Sequence, residues 1–214
     1  VSSLVCQLVC VASVLGFIAF TWSIAHRVFT NTSASSVARF ASERGWVSRP
    51  AAGWELRYEG QLDGGVTAHL LRRVLQRNRW GRQMRRPDLE VAAPLPAPGC
   101  LVVEPVSPLG RGFVSIAERC AVKGPSRVAL LDALRDVPAG RREHYEVRAT
   151  AEHPLTAQAL EVAEILAAHS ARSSGSGLLL LLLEDEMVLV SLDPFTGPAA
   201  LVDLAERCRR ALSA

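Results

Sequence analysis

Seven arginines fall within the fifteen residues from Arg72 to Arg86, in the stretch LRRVLQRNRWGRQMRRP. They are Arg72, Arg73, Arg77, Arg79, Arg82, Arg85 and Arg86, with Trp80 among them. Guanidinium forks suit carboxylates and phosphates, so the chemistry offered is recognition of anions rather than bond making. Beside an anionic lipid surface each basic residue is worth about 1 kcal/mol. Contact with an acidic partner surface or anionic lipid headgroups is therefore the first reading. A solvated charged strand pair is the second. Nucleic acid phosphates come last, because the net charge of the whole chain is only +3.

No other set of residues offers a recognisable chemistry. His26, His69, His144, His153 and His169 include no pair at helical metal-ligand spacing. Cys100, Cys120 and Cys208 fit neither a zinc pattern nor a dense disulfide framework, and suit reduced thiols in a cytoplasmic domain. The chain has no P-loop, no GxGxxG after a strand, no HExxH and no CxxC. Gly175–Gly177 (GSG) precedes a strand instead of a helix, so it reads as a linker. Glu184, Asp185 and Glu186 could meet a cation, but carboxylates at a hairpin turn ordinarily face water. The expectation is no cofactor, no metal site and no catalytic residue.

The elements that would carry the arginines begin with an apolar N-terminal segment. Leu4 to Ala25 holds no charged side chain. As a helix it would be about 33 Å long, against a bilayer core of about 30 Å. Trp22, His26 and Arg27 sit at its end, where interfacial residues are expected. A cleaved signal peptide would need a basic start and a shorter apolar core. The segment 1–29 is therefore expected to be a single transmembrane anchor in a cell inner membrane. Arg27, Arg39, Arg44 and Arg49 follow it, which places the N-terminus outside and the remainder in the cytoplasm. Ala12, Gly16, Ala19 and Ser23 form a stripe of small residues on one helix face, where a partner helix can approach closely.

Residues 30–36 read as a polar hinge, and 37–214 as a soluble α+β domain with a subdivision near 94–125. Ser36 is expected to cap a short helix that buries Val37, Phe40 and Ala41 and stops at Gly45. Trp54 to Glu59 alternates like a strand, Asp63-Gly64-Gly65 marks a hairpin, and a second strand starts at Val66. Asp88–Ala93 and Cys100–Val103 read as strands separated by Pro94, Pro96 and Pro98, which forbid a continuous ladder. A helix is expected over Ser126–Val137, a strand over Glu143–Arg148 and a helix over Thr156–His169. Six consecutive leucines, Leu178–Leu183, then pair with Met187–Val190 as a buried hairpin. A last helix from Pro198 buries Leu201, Leu204, Ala205 and Cys208, with a Glu206–Arg210 pair on its surface. Strands and helices in mixed order imply an α+β fold with a mostly antiparallel sheet and packed helices.

The stretches HYEVRATAEHPLTAQAL and LLLLLLEDEMVLVSLDPF, each followed by a helix, resemble uncharacterised bacterial membrane-anchored proteins of unknown function. The resemblance covers the C-terminal third and implies no activity and no site residues. Members are pictured with more than one membrane helix, where this sequence offers one candidate. The leading expectation is a non-catalytic accessory subunit of a larger bacterial membrane protein complex, with photosynthetic and respiratory assemblies as candidate hosts. Its partners would be other membrane protein subunits. A stand-alone membrane-anchored regulatory or ligand-binding domain is the alternative, and an unrecognised enzyme the third.

Overall fold

A computed structural model describes residues 13–21, 33–51, 55–74, 87–106, 125–141, 144–151, 153–173, 177–191 and 196–214. Nine strands form one sheet: β1 (Val47–Arg49), β2 (Leu56–Leu62), β3 (Val66–Val74), β4 (Pro87–Pro94), β5 (Cys100–Pro105), β6 (Arg135–Arg141), β7 (Tyr145–Ala149), β8 (Leu178–Leu183) and β9 (Glu186–Ser191). Their spatial order is β1-β2-β3-β4-β9-β8-β5-β7-β6, and every pairing is antiparallel. The helices packed with the sheet are α1 (Ala34–Glu43), α2 (Pro125–Asp132), α3 (Thr156–Ser173) and α4 (Pro198–Ser213). The α+β expectation with its antiparallel sheet describes this part of the chain.

The N-terminal anchor does not survive. Among the described residues no helix is long and apolar enough to cross a membrane. The single-pass transmembrane helix, and the inner-membrane topology that rested on it, are corrected accordingly.

The β8–β9 hairpin lies between β4 and β5. All six leucines of β8 are at most 1% exposed. Burial of each contributes about 1.5–3 kcal/mol, which explains a run apolar on both faces. Successive residues face opposite sides. Leu178, Leu180 and Leu182 join the larger core with α1, α3 and α4, and Leu179, Leu181 and Leu183 join a second core with Leu130 and Leu131 of α2 and with Leu134. One row of the larger core runs Tyr58, Leu70, Val91, Leu189, Leu180, Val103, Val147 across seven strands in register.

The proline-rich linker between β4 and β5 crosses the tip of that hairpin. Leu95 N–H donates to Asp185 O at 3.0 Å, Ala97 N–H to Glu184 O at 2.7 Å, and Glu184 N–H to Gly99 O at 3.0 Å. Prolines at alternate positions leave the intervening residues to donate, so the linker works as a short strap. Glu184 takes the left-handed backbone, with φ 53°.

Several local expectations shift. Ser33, not Ser36, is the N-cap of α1; its Oγ accepts from Ser36 N–H at 3.1 Å. The helix expected over Ser126–Val137 ends at Asp132, and Arg135 begins β6. Glu206 is 8% exposed and binds Arg44 at 3.4 Å instead of Arg210, while Arg44 also reaches Asp203 at 3.0 Å. Arg44 therefore ties the end of α1 to α4, with its guanidinium 5.6 Å from the Phe40 ring centre.

Both sheet edges are blunted. β1 has three residues, all exposed, and is followed by Pro50. β6 contains Pro138 and a register shift against β7. Short, proline-bearing and irregular edges resist pairing with other chains.

Two substitutions test this packing. A Cβ at Gly60 would lie 2.2 Å from the Trp46 ring, so Gly60→Ala must displace a side chain only 6% exposed. It should destabilise the fold by about 1–3 kcal/mol in urea titration. Glu184→Gly removes the left-handed penalty at the hairpin tip and should raise the urea midpoint, by up to about 1 kcal/mol in stability.

Candidate functional site

Two surface features stand apart from the packing just described. The first is the helical stretch 13–21. It carries no charge, and Val14, Leu15, Phe17, Ile18 and Phe20 are 58%, 60%, 68%, 53% and 63% exposed. At 100° per residue these five positions surround the helix axis. A helix apolar on all sides is normally enclosed. Gly16 and Ala19 of the small-residue stripe lie here, and a Cβ at Gly16 would meet nothing within 4 Å. Ala12 and Ser23, together with Trp22, His26 and Arg27, fall outside the described residues.

The second feature is a polar corner on the α2 side of the sheet, across β1, β2 and β3. β2 alternates, so Tyr58 and Leu62 serve the core while Arg57 and Glu59 face the other way. The three-residue loop Asp63-Gly64-Gly65 closes the β2–β3 hairpin with Leu62 opposite Val66, which sets Glu59 opposite His69. The two glycines adopt φ of 82° and 74°, a conformation that other residues rarely take.

Glu59 sits between two bases. The Arg49 guanidinium forks onto it, Nη2 to Oε1 at 2.9 Å and Nε to Oε2 at 3.1 Å. His69 Nδ1 lies 3.9 Å from Oε2, beyond hydrogen-bond range. The Arg49 fork holds the Glu59 carboxyl below its ordinary range. Burial, then the nearby Arg57, pushes the His69 imidazole below its ordinary value, with Glu59 and Glu186 acting weakly the other way.

Further along the same face, Glu104 on β5 is 1% exposed and accepts from Arg148 Nε on β7. This pairing satisfies a buried charge and is structural. Cys208 is buried in α4 and its thiol is pushed up to about 12 by burial, so it stays protonated and inert. Among the described residues, no group of three or more His, Cys, Asp or Glu is arranged to hold a metal ion. Between α3 and α4 an open groove of about 490 Å3 is lined by Glu161, Ile165, Arg207, Arg210, Ala211 and Ala214. Its polar lining is the solvated outer face of two helices, without the converging polar groups of a ligand site.

The arginine segment is only partly in view. Arg72 and Arg73 lie on β3, opposite Leu89 and Asp88 of β4. Burial holds the Arg72 guanidinium below its usual range. Arg77, Arg79, Trp80, Arg82, Arg85 and Arg86 fall outside the described residues, and with them most of the anion contact expected there.

Sequence reading missed the Arg49–Glu59–His69 corner, although a signal for it exists. Counting back from the Asp63-Gly64-Gly65 turn pairs position 59 with 69. Arg49 had no such marker, because β1 is too short for a periodic pattern.

The two depressed histidines set a pH dependence. His69 and His153 are both held below the ordinary 6.5 by burial. The unfolded chain therefore takes up protons that the folded chain refuses. Their contribution is fully present above about pH 6.5 and is lost as pH falls through the lower folded values. Urea midpoints should fall between pH 7.5 and pH 5.5, and His69→Gln should flatten part of that fall.

No family model matches the chain, and no curated protein matches it. Among solved structures it is similar to the crystal structure of the mycobacterial trehalose monomycolate transport factor A, TtfA, at 11% identity and a TM-score of 0.43, over 81% of this chain and 88% of that one. A likeness at this level bears on neither fold nor function.

Proposed function

We propose that this chain is a non-catalytic accessory subunit of a larger assembly, whose other members are membrane protein subunits. The observation that supports this most is the stretch 13–21, with five large apolar side chains each more than half exposed and no charge among nine residues. Such a surface loses free energy in water, about 25 cal/mol for each Å2 left uncovered. An apolar cleft of a partner protein would cover it on several sides at once. The sheet and α1, α3 and α4 then serve as the rigid body that the partner holds. Cys100 and Cys208 are buried thiols, which fits a reducing compartment such as the cytoplasm.

The reading is tested by native gel electrophoresis and mass photometry of the tagged chain from its own cells. The wild type should run in an assembly several times larger than 23.1 kDa, at fixed stoichiometry. The double variant Phe17→Gln, Ile18→Gln should run alone with an unchanged melting temperature. Wild-type chain running alone would overturn the subunit reading and favour a stand-alone regulatory domain. A double variant that stays in the assembly would show that 13–21 is not the seat.

A further inference from the structure

Arg49 on β1 and Arg57 on β2 stand directly opposite each other in the strand register. Residues paired in this way share one face, with Cβ atoms about 5 Å apart, and like charges there weaken a strand pair. The carboxylate at hand is committed to one of them. Glu59 takes Arg49 Nη2 on Oε1 at 2.9 Å and Arg49 Nε on Oε2 at 3.1 Å. Arg57 is close enough to act on both Glu59 and His69. Yet among the described residues its guanidinium makes no hydrogen bond and no ion pair, and its Nε is buried without an acceptor. A buried donor in that state costs free energy. The two Nη groups of Arg57 are not enclosed, so an anion can reach them.

The neighbours do not complete the pair. Along the same row Leu71 follows Arg57, and Glu90 follows Leu71. Leu71 is 7% exposed and stands between the two charges. Glu90 is 5% exposed and has interactions of its own. Asp88 lies opposite Arg73. Arg49, Arg57 and Glu59 thus leave one positive charge over.

This end of the sheet face is also bare among the described residues. The second core, where α2 packs, takes no residue from β1, β2 or β3. Val47, opposite Glu59 and on the same face, is 55% exposed. A free small anion would find only open, screened contacts here, which hold weakly. An anion tethered to an apolar group gains Val47 as a second hold.

We propose that Arg49 and Arg57 receive a side-chain carboxylate from an acidic segment of a partner protein, with an apolar neighbour of that carboxylate covering Val47. The Nη pair of Arg57 meets the carboxylate as a fork. Arg49 Nη1, which Glu59 leaves unused, closes the other side. The site does not depend on the stretch 13–21.

NMR titration of the full chain at pH 7 and low salt tests the assignment with three probes. They are a blocked peptide of two glutamates around one leucine, its glutamine counterpart, and inorganic phosphate. The acidic peptide should shift the amides of residues 47–49 and 57–59, more tightly than phosphate, and the glutamine peptide should leave them unmoved. In Arg57→Met the affinity for the acidic peptide should fall about fivefold, while the urea midpoint of the chain does not fall. Arg39→Gln, which removes an exposed charge on α1, should bind as the wild type does. Unmoved amides at 47–49 and 57–59 overturn the proposal. So does phosphate binding as tight as the peptide, which would make this a site for free anions. An equal loss in Arg39→Gln would show attraction by net charge alone, and a lowered urea midpoint in Arg57→Met would make Arg57 a packing residue; either result overturns the site.

Discussion

The insertion of the leucine hairpin between β4 and β5 is the constraint on which the rest of the sheet depends. β4 and β5 are joined by a linker of five residues, yet they are not neighbours; β9 and β8 stand between them. Among the described residues, the hydrogen-bonded ladder from β1–β4 to β5–β7 runs through a hairpin contributed by residues 178–191. Non-local pairing of this kind is slow to form, because loop closure must precede the contacts that reward it. The six leucines supply the reward on both faces at once. The strap across the hairpin tip, three backbone hydrogen bonds from 95–99 to 184–185, closes the insertion at one end.

Once that insertion is made, the remaining parts have assigned places. α1, α3 and α4 cover one face, and Arg44 and Trp46 fasten the C-terminal end of α1 to α4 and to Gly60. Both edges are short or interrupted, so the sheet is protected against unregulated growth. Two features are left that the packing does not require. The apolar stretch 13–21 leaves Val14, Leu15, Phe17, Ile18 and Phe20 more than half exposed. The Arg49–Glu59–His69 corner puts a titratable group beside the weakest strand.

The legible parts of the fold were those with a short-range signature. Asp63-Gly64-Gly65 announced the β2–β3 hairpin, the leucine run and its acidic turn announced β8–β9, and Pro198 announced α4. The prolines at 94, 96 and 98 correctly broke the ladder, but nothing local said that the break spans an inserted hairpin. α2 was read too long because Leu131, Leu134 and Val137 share a helical spacing, while the chain turns at Ala133 and starts β6. Glu206 was given to Arg210 by the i,i+4 rule, and a tertiary contact with Arg44 took it instead. The N-terminal segment was read as a spanning helix from its lack of charge, and among the described residues no helix is long and apolar enough to cross a membrane. The polar corner escaped because its members lie on three strands, and register joins them only after the sheet is formed.

Native-state hydrogen exchange against denaturant measures directly whether the hairpin makes one body of the two strand sets. The amides of β2–β4 and of β5–β7 should converge with those of β8 and β9 on a single global opening, since β4 and β5 each lose the strand beside them, and both cores lose their leucines, once the hairpin leaves. If β5–β7 opened at low denaturant while β2–β4 stayed protected together with β8 and β9, the hairpin would belong to one set alone, and the account of the sheet as a single insertion-locked unit would be contradicted.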